Sequence, residues 1–171
     1  MSTCTICFAE HDRLWYGKPS MYCEACAKLK EDGLGKCQEI VPGFYLGDWE
    51  SARKFVGTTL CVHEDDEFAV GYHIPILVKK PNSHLDRTGA LVSLAKLNTA
   101  VQFMIYHLNE TEEYSCDGLD LLVYCKGGVE RSPLVMAHFL LEAIYCLSLD
   151  EAYAHIKKIR PVISERKFWL P

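Results

Sequence analysis

The chain has 171 residues, 49% of them apolar, and carries 18 Lys and Arg against 23 Asp and Glu for a formal net charge of -5. That length suits one domain of ordinary size with a small appendage, and the apolar share is enough for a true core. The acidic balance excludes a global attraction to nucleic acid or anionic membranes. Nine cysteines, an odd number, with no basic and apolar leader in MSTCTICFAEHDR, point to a reduced cytoplasmic or nuclear protein. The longest apolar stretch, Pro133 to Leu147, is broken by His138 and Glu142 and is too short to span a bilayer.

The first element is a segment of residues 1–39 that holds five cysteines and no apolar run long enough for a core. Cys4 and Cys7, then Cys23 and Cys26, give C-x2-C-x15-C-x2-C, the spacing of a tetrahedral zinc site with four thiolates. A structural Zn(II) would fold a segment this short. In a treble-clef or ribbon arrangement the first pair lies on a knuckle, LWYGKPSMY supplies a hairpin and CEACAKLKED starts a helix. His11 and Cys37 are spare donors. A redox role is disfavoured, because neither pair follows a strand of a βαβ unit. Basic and acidic residues nearly balance here, so the module reads as a structural cap or protein-docking surface and not as a nucleic-acid grip.

From residue 40 to 171 strands alternate with helices. VPGFYLGD reads as a strand pair around Gly43, WESARKFV as a helical turn, and TTLCVHE and HIPILV as strands. ALVSLAKLNTAVQFMIYHL has apolar residues at Leu91, Leu94, Leu97, Val101, Met104, Ile105 and Leu108, a helical period. A loop, NETEEYSCDG, leads to LDLLVYC, a buried central strand. Two helices follow, SPLVMAHFLLEAIYCL and SLDEAYAHIKKI, the second with Ser148 and Glu151 placed for a capping box. The order predicts an α/β fold, a central, mostly parallel sheet flanked by helices.

The chemistry concentrates at YCKGGVERS. A strand ending at Cys125 and a helix starting near Ser132 leave Lys126, Gly127, Gly128, Val129, Glu130 and Arg131 as a tight loop. Its backbone N–H groups can converge on one anion at the helix N-terminus. The glycines permit positive φ and close approach. The same field favours a Cys125 thiolate, a nucleophile, and Arg131 offers a planar fork for two phosphate oxygens. Together these describe phosphoryl transfer through a phosphocysteine.

YCKGGVERS resembles the HCxxGxxRS signature of cysteine-based protein phosphatases, in particular the dual-specificity branch. VPGFYLGDWESARKF, LCVHEDDEF and IKKIRPVISERKFWL resemble that family's opening strand and helix, its next strand and its closing segment. The resemblance covers residues 40–171 and leaves the zinc segment outside. It implies that Cys125 is the nucleophile, Arg131 the phosphate clamp and Ser132 the hydroxyl that stabilises the departing thiolate. It also implies an aspartate acid on a loop before the long helix; Asp86 in KKPNSHLDRTG is the sole carboxylate there, with an N-cap or turn role as the competing reading and His84 as a weaker rival.

Tyr124 stands where the family has histidine, which bears on the thiol and on activity. Glu130, pointing outward, would favour a substrate with a basic group near the phosphate and disfavour polyanions. Cys61 is either a buried strand thiol or, as the resemblance implies for some relatives, a redox partner of Cys125. The expected function is a metal-independent phosphomonoesterase acting on phosphotyrosine, phosphoserine or phosphothreonine in proteins. Its alternatives are an RNA 5'-end or other nonprotein phosphatase, and a phosphate-binding pseudophosphatase that docks through its zinc module.

Overall fold

The computed structural model describes residues 2–3, 10–11, 15–17, 20–22, 28, 35–79, 91–114, 120–143 and 148–170. Near the N-terminus β1 (Ser2–Thr3) pairs with β2 (Glu10–His11), and β3 (Trp15–Gly17) pairs with β4 (Ser20–Tyr22), both antiparallel. The second pair is the expected LWYGKPSMY hairpin.

The centre of the molecule is a five-stranded sheet of β5 (Gln38–Val41), β6 (Phe44–Asp48), β7 (Thr58–Cys61), β8 (Tyr72–His73) and β9 (Leu121–Cys125), in the order β5-β6-β9-β7-β8. β5 turns back on β6 through Gly43, whose φ of 76° suits glycine. β6, β9, β7 and β8 pair in parallel, so the sheet is mostly parallel as expected. β9 is buried along its whole length, which is why LLVYC carries no polar alternation.

Four helices complete the fold: α1 (Trp49–Ala52), α2 (Leu94–Tyr114), α3 (Arg131–Ala143) and α4 (Leu149–Ile159). Leu97, Val101 and Met104 of α2, Leu134 and Phe139 of α3, and Tyr153 and Ile156 of α4 pack with Leu46, Leu60 and Val123 on one face of the sheet. A smaller cluster on the other face joins Ala52, Cys61, Phe68, Leu122 and Tyr124. Each fully buried large apolar side chain contributes roughly 1.5–3 kcal/mol. Asp48 caps α1 in a reciprocal box with Ser51, and the Ser148 hydroxyl accepts the Glu151 N–H at the start of α4. No helix among the described residues is long and apolar enough to cross a membrane.

Three expectations shift. HIPILV contributes only its histidine to a strand: beyond it Ile74 and Ile76 still donate to the Cys61 and Val62 carbonyls on either side of Pro75, but two residues of one chain advance against one of the other and the regular ladder ends. The long helix begins at Leu94 and runs on through NETEEY to Tyr114, since that polar stretch contains no glycine or proline to stop it. β5 begins at Gln38, so the strand straddles the 39/40 boundary drawn from composition.

Candidate active site

In a mostly parallel sheet the C-terminal strand ends converge on one edge, where ligands bind. Cys125 ends β9 there, level with Asp48 of β6. Six residues later α3 begins at Arg131. The loop between is the predicted one, and Gly128 is its left-handed residue, with φ 62°.

Cys125 is buried, and the hydroxyl of the fully buried Ser132 donates to its Sγ at 3.3 Å. The Arg131 Nε–H donates to the Ile76 carbonyl at 3.1 Å, and Nη2 lies 3.0 Å from a Glu64 carboxylate oxygen. The guanidinium is thereby held at the mouth of the loop by two anchors from the other side of β9. Glu64 was missed from sequence. The available signal was its place directly after β7, at the ligand-binding edge and one strand from Cys125.

The loop's carbonyls are tied from outside. Trp49 N–H donates to Lys126 O at 3.4 Å, the Arg160 Nε–H to Gly128 O at 3.1 Å, and Ser164 N–H to Val129 O at 2.8 Å. A trans peptide points its N–H opposite its C=O. The N–H groups of Gly127, Val129 and Glu130 are therefore turned away from these donors, the arrangement of an anion nest.

Around this centre, three side chains take roles that the sequence left open. Tyr124, packed on the face opposite Cys125, accepts the Val70 N–H at 2.5 Å and donates to Phe68 O at 2.9 Å; burial pushes its phenol far above the ordinary range. It staples the 66–70 segment to the sheet. Phe68 then meets the His63 ring edge to face and carries the Lys126 ammonium 4.7 Å from its ring centroid. Glu130 does not face a substrate uncompensated: Arg166, only 5% exposed at its side chain, grips it through Nε and Nη2. The charge of Glu130 is thus matched by the closing segment, a partner the sequence did not show.

Cys61 lies opposite Tyr124 in the ladder and shares that face, whereas Cys125 belongs to the other. Cys61 is fully buried, and burial pushes its thiol up, which favours the reading as a strand thiol. His63 is buried beside Arg131, and both burial and that charge push its imidazole down, keeping it neutral. Its Nδ1 accepts the Asp65 N–H at 3.1 Å. With Glu64 and Asp65 it forms the sole group within metal-binding reach among the described residues. Glu64 is already committed to Arg131 and His63 Nδ1 to Asp65. Asp86, His84 and the four cysteines Cys4, Cys7, Cys23 and Cys26 lie outside the described residues.

Comparison with known proteins agrees with this geometry. The structure resembles human DUSP28 (21% identity over 78% of this chain and 86% of that one, TM-score 0.55), which has also been solved as a tyrosine-to-histidine variant. It also resembles the human tyrosine phosphatase-like serine/threonine/tyrosine-interacting protein (18% identity, 78% and 90% covered, TM-score 0.57) and PTPMT1 in complex with PI(5)P (23% identity, 78% and 89% covered, TM-score 0.56). No curated protein matches the sequence. Residues 63–170 match the family described as dual specificity phosphatase, catalytic domain, and the chain belongs to that family of cysteine-based phosphatases.

Proposed function

We propose that the chain hydrolyses phosphomonoesters of proteins through a phosphocysteine. The observation that carries this is the Cys125 thiol, bonded by Ser132 at the mouth of a loop whose Lys126, Gly128 and Val129 carbonyls are drawn outward. Cys125 Sγ attacks phosphorus while Arg131 and the loop N–H groups hold the nonbridging oxygens. Asp86 gives its proton to the leaving alkoxide or phenoxide. Water then attacks phosphorus with the Asp86 carboxylate as base, and the thiolate leaves towards the Ser132 hydroxyl.

Protein substrates are supported by the rim. Glu64 to Glu67 is an exposed acidic run beside the site, which suits phosphopeptides with basic flanks better than polyanions. Hydrolysis of a phosphoinositide is the second reading. It gains weight because Glu130 is neutralised by Arg166 and because PTPMT1 was solved with PI(5)P. Cys4, Cys7, Cys23 and Cys26 are proposed to hold a structural zinc ion in residues 1–39, a module that docks partners and takes no part in the chemistry.

The test is hydrolysis of an aryl phosphate, a phosphopeptide and a phosphoinositide across pH, with Cys125→Ser, Arg131→Ala and Asp86→Asn. The expected result is no turnover for Cys125→Ser, loss of the basic limb of the profile for Asp86→Asn, and preference for the phosphopeptide. Wild-type protein that binds orthovanadate yet turns over none of the three would make the loop a reader of phosphate and overturn the hydrolase reading.

A further inference from the structure

The donor at the middle of the loop is an unusual one. Arg160, at the end of α4, is 1% exposed. Its Nε–H holds Gly128 O at 3.1 Å, and Nη1 donates to Lys36 O at 3.1 Å and to the Gln38 side chain. Its Nη2 has no hydrogen-bond partner. The carboxylate that attracts it, Asp48, is instead bonded to the N–H groups of Ser51 at 2.8 Å and Gly35 at 2.7 Å. A buried cation without a bonded counter-charge is costly to a fold. An anion bound in the loop that Arg160 holds would supply such a counter-charge.

Packing leaves no slack at this point. A Cβ built on Gly128 would meet Gly47 O and would come 2.7 Å from Arg160 Nη2, so the loop backbone lies flush between β6 and the guanidinium. Any movement of Arg160 must move the Gly128 peptide, and with it the direction of the Val129 N–H.

We propose that Arg160 is a positioning residue for phosphate binding: it fixes the Gly128–Val129 peptide with its N–H towards the anion and lends unneutralised positive charge from beneath, braced on Lys36 and Gln38. The inference rests on the phosphate-handling reading of the loop and deepens it. Because Arg160 touches neither nucleophile nor substrate, its influence falls on oxyanion affinity and KM more than on the attack itself.

Calorimetric affinity for orthovanadate, read beside KM and kcat for an aryl phosphate and beside thermal unfolding, tests this on Arg160→Met, Arg160→Lys and Gln38→Leu. Arg160→Met is expected to weaken vanadate about tenfold and raise KM in parallel. Arg160→Lys should recover part of the loss by restoring charge without the fork, and Gln38→Leu should weaken binding a few-fold by loosening the brace. A lowered Tm with unchanged vanadate affinity in the folded variants would reduce Arg160 to a structural residue and overturn the proposal. If neither Arg160 variant folds, unchanged affinity in Gln38→Leu does the same. Vanadate binding without wild-type hydrolysis removes the hydrolase reading alone and leaves the affinity comparison decisive. A wild type that binds no oxyanion overturns both.

Discussion

Tyr124 plays a structural part on the face of the sheet behind Cys125. Its hydroxyl both accepts from Val70 and donates to Phe68, the first bond half-buried and the second buried. Tyr124→Phe keeps the ring and leaves a half-buried N–H and a buried C=O unmet, at about 1–3 kcal/mol. The expected outcome is a Tm lower by several degrees, since a chain of this size loses roughly 2–4 °C per kcal/mol; calorimetry checks it, and an unchanged Tm refutes the staple. At this scale Cys125, Arg131 and Ser132 were legible because one strand end and one helix start fix all three, and Ser132 does reach the sulfur. Glu64 and Arg160 were not. Each reaches the loop from an element remote in sequence, and no local spacing encodes a contact made by folding.

The strand–loop–helix unit around Cys125 makes a sharper demand on adjacent glycines than their repetition in KGGVE suggests. At Gly127 an added Cβ meets only the Val129 Cγ2, at 3.7 Å, an ordinary contact. At Gly128, with φ 62°, it would strike Gly47 O and Arg160. Gly127→Ala is therefore expected to unfold within about 1 kcal/mol of wild type, whereas Gly128→Ala loses more than about 2 kcal/mol and most vanadate affinity. Urea titration separates the two, and equal losses would discard the close approach. Most element types were legible from periodicity, but HIPILV is a strand only at His73 and NETEEY is helix where a loop was expected. Lengths were less legible, because polar NETEEY continues a helix as readily as it forms a loop, and a ladder that slips out of register ends a strand that its apolar residues would extend.

For the whole molecule, the stretch 35–38, the end of the cysteine-rich N-terminal segment, is tied to the candidate site. Gly35 N–H reaches Asp48, Lys36 O and Gln38 hold Arg160, and Arg160 holds the loop. The Cys4, Cys7, Cys23 and Cys26 site is expected to bring one zinc per chain, measured by atomic emission, and Cys4→Ser with Cys23→Ser to lose it. Removing the metal with a chelator is expected to weaken orthovanadate a few-fold through this junction. A wild type free of zinc would dismiss the site, and zinc loss with unaltered vanadate affinity would show the junction to be passive.

The closing segment gives the loop a timetable. Arg160, Ser164 and Arg166 bind Gly128, Val129 and Glu130, and Trp169 O takes the N–H groups of Leu91 and Val92. During synthesis Cys125 therefore leaves the ribosome well before the residues that tie down its loop. A nascent chain holds this cysteine in an unformed loop, and the loop takes its shape only when residues 160–170 have emerged and folded back against it.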